Sequence, residues 1–310
     1  MDALFPKGPP YVPRNAQLGG LVNTKVDVPV SAVFIAIFAM LAATHMTIFQ
    51  RNKRRGILFI PSGATFGFCM SRIVTFSMRI AWAKDLLNVS LAIAANVFVS
   101  AGVIILFIVN LYYARRIHRG YHPRFANTLA VTRVFRAYYF SIIPVLIMVI
   151  TATVVSFYTM APKRLKSCRD IQRFGMMYFL VFCFMPIPVV LLSRFVPSTT
   201  KQKFGTPDRL IHKVFIVLTA GVLLTLSTGF RVGAAYSPPR PMFDPTWFHG
   251  KPAFYCFIPM LEVLVVLMYA VTRVDRRFYI PKVNKEGDLE KKHHNGADAG
   301  SNEELEETEA

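Results

Sequence analysis

Seven continuous apolar stretches divide the chain, at about residues 29–49, 58–82, 89–113, 138–160, 174–195, 214–230 and 253–272. A hydrocarbon core about 30 Å thick takes about 20 residues of helix to cross, and each stretch reaches or approaches that length. Barrel strands would alternate apolar and polar residues, whereas a helix satisfies its own backbone hydrogen bonds in lipid. The spacing predicts an all-α fold, a polytopic membrane protein built as a seven-transmembrane-helix bundle over residues 29–272. A polar segment, 1–28, precedes it and a basic-then-acidic tail, 273–310, follows. Hydrophobic residues make up 54% of the chain and charged residues 17%, which excludes a soluble profile.

Lys and Arg residues flank these stretches unevenly. With the N-terminus outside and the C-terminus cytoplasmic, the inner side receives "RNKRR", Arg115 to Arg136, Arg194 to Lys213 and Arg273 to Lys285, 20 basic residues against 12 outside. That bias sets the expected orientation, although the loop "PKRLKSCRD" (162–170) runs against it. The formal charge of +19 then belongs to juxtamembrane loops facing an anionic leaflet rather than to a nucleic-acid surface. Nine of the seventeen acids lie from Glu286 onward, in a tail too polar to fold alone. The first 28 residues carry no apolar h-region, so the first span itself is expected to act as the targeting signal.

Against this background Glu262 stands out: it is the single Glu before the tail and the one acid inside an apolar stretch, "FIPMLEVLVVLMYAV". An ionised group at mid-helix costs about 2.5 to 3.5 kcal/mol to insert, so it must face the bundle and find a partner. The second stretch supplies Arg72 and, seven residues on and on the same helical face, Arg79. Tyr269 shares the face of Glu262. Two readings follow from these four residues: an ion pair that fixes helix register, or the wall of a polar cavity. Two arginines to one acid leave surplus positive charge, which favours a carboxylate or phosphate ligand.

Other features point less far. Cys168, read as lying in a loop, and Cys256 are expected on the same side and suggest a disulfide; Cys69 and Cys183 suit packing inside the bundle. Asn88 heads the sequon Asn-Val-Ser, close to the membrane. His45 reads as a helix-packing histidine. Gly63, Gly67, Gly221 and Gly229 suit close helix contact. A seven-helix zinc hydrolase would need three or four His or acidic ligands; most histidines fall in loops, and Gly120 and Pro123 argue against a regular helix around His118 and His122. A retinal protein would need a lysine within 253–272, which has none. The expectation is no enzyme, no metal and no cofactor.

The segments "AATHMTIFQRNKRRGILFIPSGATFGFCMSRI" and "RIAWAKDLLNVSLAIAANVFVSAGVIILFIVNL" resemble a filamentous-fungal family of seven-span membrane proteins of unknown function, whose members sometimes carry a GPCR-like label. The architecture is also similar to the fungal RTA-like lipid-translocating exporters. The third stretch ends "NLYYARRIHRG" without an Asp-Arg-Tyr, and the seventh has no Asn-Pro-x-x-Tyr. Receptor function would therefore rest on topology alone. The expected role is to bind or translocate an amphipathic or anionic, lipid-like small molecule through a polar core, in a plasma or endomembrane and in contact with membrane lipids. The alternative is a GPCR-like receptor whose cytoplasmic partner docks on the basic inner loops.

Overall fold

The computed structural model describes residues 8–12, 15–197, 210–242 and 244–279. Lys201, Lys203 and Arg209 of the basic loop expected on the inner side, and the acidic tail from Glu286, lie outside them. Among the described residues all regular structure is helical, apart from one isolated antiparallel bridge between Asn15 and Pro241. The long helices are α1 (Asp27–Arg54), α2 (Ile60–Lys84), α3 (Val89–Gly102), α4 (Ile104–Tyr121), α6 (Leu129–Tyr158), α7 (Pro162–Phe184), α8 (Pro186–Phe195) and α9 (Leu210–Tyr236). Short α5 (Pro123–Ala126) links α4 to α6. The last crossing is composite: α10 (Lys251–Tyr255), one wide π turn (Cys256–Met260) and α11 (Leu261–Val271), followed by α12 (Val274–Arg277).

Six helical segments among the described residues are long and apolar enough to cross a membrane: Asp27–Arg54, Val89–Tyr121, Leu129–Tyr158, Pro162–Phe195, Leu210–Tyr236 and Lys251–Val271. This is the architecture of a multi-pass membrane protein. The second expected span exists as α2, yet it is not among the six, because Arg72, Arg79, Lys84 and several Ser, Thr and Gly residues dilute its apolar content. Large apolar side chains also line the outside. Phe140, Ile143 and Ile147 on α6 and Leu264, Leu267 and Val271 on α11 are exposed at helical spacing, a surface that water would penalise and lipid does not.

Several boundaries differ from those the apolar runs suggest, for one physical reason. Hydropathy marks where a helix meets lipid, whereas backbone hydrogen bonding continues past that point. Thus "PKRLKSCRD" is no loop: Pro162, suited to the first helical position, starts α7 there, and Cys168 sits on a helix. Helix α9 runs on to Tyr236, which places Arg231 inside it rather than in an outer loop. Helix α4 passes through Gly120 and stops at His122, before Pro123, so His118 and His122 do stand one turn apart; they hold Ser193 of α8, through its Oγ (2.8 Å) and its carbonyl (3.2 Å). Pro259 cannot donate to the carbonyl four residues back, and the π turn absorbs that defect.

Helices α1, α2 and α11 pack as one side of the bundle, with Phe34 and Phe38 stacked on Phe76 and Phe38 edge-on to Phe68 between α1 and α2. His45 of α1 contacts the carbonyl of Val266 through Nε2 at 3.2 Å, the packing role expected of it. At the far end of this side, Asn52 donates to Asp275 (2.9 Å), and Arg273, in the left-handed region at φ 48°, donates twice to the same carboxylate (3.0 and 2.9 Å). Burial alone would raise the Asp275 pKa, but hydrogen bonds from Arg273 and Asn52 hold it below the usual carboxylate range. A depressed folded-state pKa adds stability that is complete above the unfolded value and is lost as pH falls through the folded one. The thermal midpoint of the detergent-purified protein should therefore drop between about pH 5 and pH 3, and the drop should be shallower in Asp275→Asn; equal slopes would show that the latch is not ionised.

Candidate functional site

The two arginines of α2 meet two different acids, on two levels of the bundle. At mid-depth, Arg72 Nε donates to Glu262 Oε2 (2.7 Å) and Nη2 to Oε1 (2.6 Å), with the two residues 2% and 0% exposed. The two-bond fork is the strong form of this pairing. Arg72 Nη1 reaches the carbonyls of Phe98 and Val99 (3.2 Å each), in the closing turn of α3. A helix C-terminus leaves carbonyls unsatisfied and favours a cation. The approach depends on Gly102: a Cβ there would stand 3.2 Å from Arg72 Nη1 and collide with Ser71 Oγ.

A third charge joins this level. Arg231 of α9 donates through Nη1 to the Val99 carbonyl (3.3 Å), and its Nη2 lies 3.8 Å from Glu262 Oε1, beyond hydrogen-bond length. Its Nε and Nη2 are sealed and have no hydrogen-bond partner. A buried donor left unsatisfied costs about 1 to 3 kcal/mol, more when charged. The surplus positive charge inferred from the sequence is thus present at mid-depth, but Arg231 supplies it and Arg79 does not.

Arg79 belongs to the second level, one rung outward. It donates to Asp27 Oδ1 through Nε (3.1 Å) and Nη2 (2.9 Å), and to the Gly19 carbonyl (3.1 Å), and it lies over the Phe254 ring at 4.5 Å. Tyr255 donates to Asp27 (2.8 Å), and Lys251 and the backbone N–H of Asn23 complete its shell. Gly19 adopts φ +85°, and a Cβ on it would come within 2.8 Å of Arg79 Nη2. Seven residues separate Arg72 from Arg79 and Tyr255 from Glu262, so the two antiparallel helices engage on matched rungs. Asp27 was not singled out in the sequence because it precedes the apolar run; the usable signal was that few acids precede the tail, and one of them sits at the depth of Arg79.

Between these rungs and helices α3, α6, α7 and α9 lies a cavity of about 290 Å³. Arg79, Arg169, Arg173, Arg231 and Arg240 line it, with Asn96, Gln172 and several Ser and Thr, and no Asp or Glu among the described residues does. Apolar Val99, Val149, Met176 and Ile258 form the deeper wall. His249, also lining it, is held below the ordinary histidine range by burial, so the charge of the wall at neutral pH comes from arginine. Arg173 is anchored by a hydrogen bond to the Ala235 carbonyl (2.9 Å). Residues 15–18 cross one side of the cavity, tied by Ala16 N–H to the Arg240 carbonyl (2.9 Å) and by Asn96 to Gln17 (3.1 Å).

A family model described as "Protein of unknown function (DUF3112)" matches residues 123–207 and 208–279, half of the chain. The chain belongs to the DUF3112 family. The matched stretches begin after α4, so the segments that carried the sequence resemblance, in the first three spans, lie outside them. Arg169, Arg173, Arg231, Arg240 and Glu262 lie inside the DUF3112 match, whereas Asp27, Arg72 and Arg79 do not. No curated protein and no solved structure matches the chain.

The remaining expectations divide. Tyr269 does not join Glu262: two turns further along α11, it donates to Asn110 (3.2 Å) and packs edge-on against Tyr113. Cys168 and Cys256 are free thiols, the first buried and the second exposed; one thiol points into the packed interior of this DUF3112 bundle and the other away from it, so no disulfide joins them. Asn88 is exposed, but its side chain caps α3 by accepting from Leu91 N–H at 3.3 Å. No group of three His, Cys, Asp or Glu that could hold a metal ion occurs among the described residues.

Glu262→Gln leaves two buried guanidinium groups without a carboxylate, whereas Arg72→Gln leaves Glu262 with Arg231 close by. Breaking a buried pair costs about 3 to 5 kcal/mol. Glu262→Gln should therefore lower thermal stability more than Arg72→Gln, and the double variant should recover part of the loss. Strictly additive losses in a denaturation series would show that the two side chains act independently.

Proposed function

We propose that this protein binds, and passes across or presents to the membrane, an anionic amphipathic small molecule, using the arginine-lined cavity as its site. The observation that carries the reading is the wall composition: five arginines and, among the described residues, no carboxylate on the wall itself around about 290 Å³, near the lower end of the range for small-molecule sites. Arg79 is met by Asp27 and Arg240 by Asp244 (3.4 Å) behind the wall, which leaves Arg169 and Arg231 with no carboxylate of the described residues within hydrogen-bond distance. Polar side chains sit toward the ends of the helices and apolar ones deeper. A molecule with a charged head and an apolar body matches that gradient, and a lipid-like carboxylate or phosphate is the simplest chemistry with both.

In this reading α2 is a seventh crossing. Its 25 residues span about 37 Å as a helix, and both of its central arginines turn inward onto carboxylates, which removes the charge from its lipid face. The N-terminus is then outside, by the distribution of Lys and Arg, and the cavity opens on that side. The protein is no enzyme: it acts through binding. A receptor that docks a cytoplasmic partner on its basic loops is less well supported, because two of those arginines pack on aromatic rings within the fold instead of standing free for a partner. Arg115 lies 5.4 Å over Phe135, and Arg116 lies 4.6 Å over Tyr112 and 5.7 Å over Phe59.

Native mass spectrometry of the detergent-purified full chain with oleate and with monoolein, its neutral counterpart, tests the reading. Oleate should be retained in preference to monoolein, and Arg169→Gln with Arg173→Gln should narrow the preference. Equal retention of the two would remove the case for an anion site.

A further inference from the structure

Arg231, a residue of the cavity wall, has one guanidinium edge that makes no hydrogen bond. Arg72 uses Nε and Nη2 together to grip the Glu262 carboxylate. The same two atoms of Arg231, Nε and Nη2, are both buried and both without a hydrogen-bond partner, while its Nη1 is fixed on the Val99 carbonyl. Two parallel N–H groups on one edge fit the two oxygens of a carboxylate or phosphate. Arg231 is 9% exposed, so bulk solvent reaches little of its side chain. The nearest protein carboxylate oxygen, Glu262 Oε1, is already taken by Arg72 and stands 3.8 Å away.

The surroundings indicate where a ligand would lie. Arg231 lines the large cavity and also a small void of about 30 Å³, whose other walls include Phe107, Phe179 and Thr228. Ser100, Val149 and Met176 border both spaces. Met176, unbranched and readily rearranged, can yield to an entering group.

We infer that Arg231 is the anchor for the acidic head of the ligand, a carboxylate or phosphate held side-on by Nε and Nη2 as Arg72 holds Glu262. The inference rests on the cavity being an anion site and adds which residue engages the anion and in what geometry. Arg169, Arg173 and Arg240 then attract the anion nearer the mouth, and Arg231 receives it.

Binding of monododecyl phosphate to the detergent-purified full chain, with monoolein as the neutral control, decides the matter. The comparison runs wild type, Arg231→Gln, Arg231→Lys and Arg173→Gln, each checked for folding by thermal denaturation. Arg231→Gln should weaken retention about tenfold or more, the loss expected for charge-assisted hydrogen bonds. Arg231→Lys keeps the charge without the two-bond edge and should fall between it and wild type, with Arg173→Gln the least affected. Displacement by inorganic phosphate would identify a free anion as a sufficient ligand, and failure of phosphate to displace would identify a lipid headgroup; either result leaves the anchor in place. Wild-type retention in both Arg231 variants would overturn the anchor and leave the cavity reading standing. Should Arg231→Gln not fold, unchanged retention in Arg231→Lys alone would overturn the two-bond geometry. Failure of wild type to prefer the phosphate over monoolein would remove the cavity reading itself.

Discussion

A buried carboxylate held by two bonds to a buried guanidinium organises the bundle. Glu262 has no route to water, so its charge has to be met inside, and Arg72 meets it with the whole of one edge. The remaining nitrogen of Arg72 reaches the end of α3, which gives a reason for that helix to stop at Gly102 and for α4 to restart at Ile104. One ion pair thus ties α11 to α2 and to the end of α3, with Arg231 of α9 beside it. In lipid, where apolar burial does little to favour one helix arrangement over another, such a polar contact has more influence on register than the surrounding leucines and valines.

The two charged levels differ in how fully they are satisfied, and the difference separates structure from proposed function. Around Asp27, Arg79, Lys251, Tyr255 and the Asn23 N–H fill the carboxylate, and Arg79 gains the Gly19 carbonyl and the Phe254 ring. That level is complete. Around Glu262 one guanidinium is fully used and a second is only half used. Native interiors rarely leave charged donors idle, and the residue that does so here, Arg231, is one that borders the cavity.

Much of the fold was legible because lipid imposes a simple rule on sequence: an apolar run of sufficient length is a helix. Glu262 and Arg72 were legible for the same reason, as violations of that rule. The rule fails where helices leave lipid, which is why α7 was read as starting near Phe174 and Arg231 as lying in a loop. It also fails for α2, whose arginines depress its hydropathy although their partners neutralise them. The identity of Arg79's partner needed three dimensions. Asp27 is ordinary in its local sequence, at the start of α1, and only the packing of α1 on α2 brings it to the level of Arg79. Tyr269 shows the converse: sharing a helical face with Glu262 put it in line but about 10 Å along the axis, in the company of Asn110 and Tyr113.

The matched rungs also restrict how this bundle can move. Because Arg72 holds Glu262 and Arg79 Nε donates to the Tyr255 hydroxyl (3.2 Å), both contacts joining α2 to the composite last crossing, a piston-like slide of one past the other would break both at once, with no acid one turn away to receive either arginine. Helices α6 and α7 meet through apolar packing and hydroxyl contacts such as Ser141 with Tyr178, which tolerate small displacements more readily. The molecule therefore has a locked side and a compliant side, and the cavity lies where the two meet.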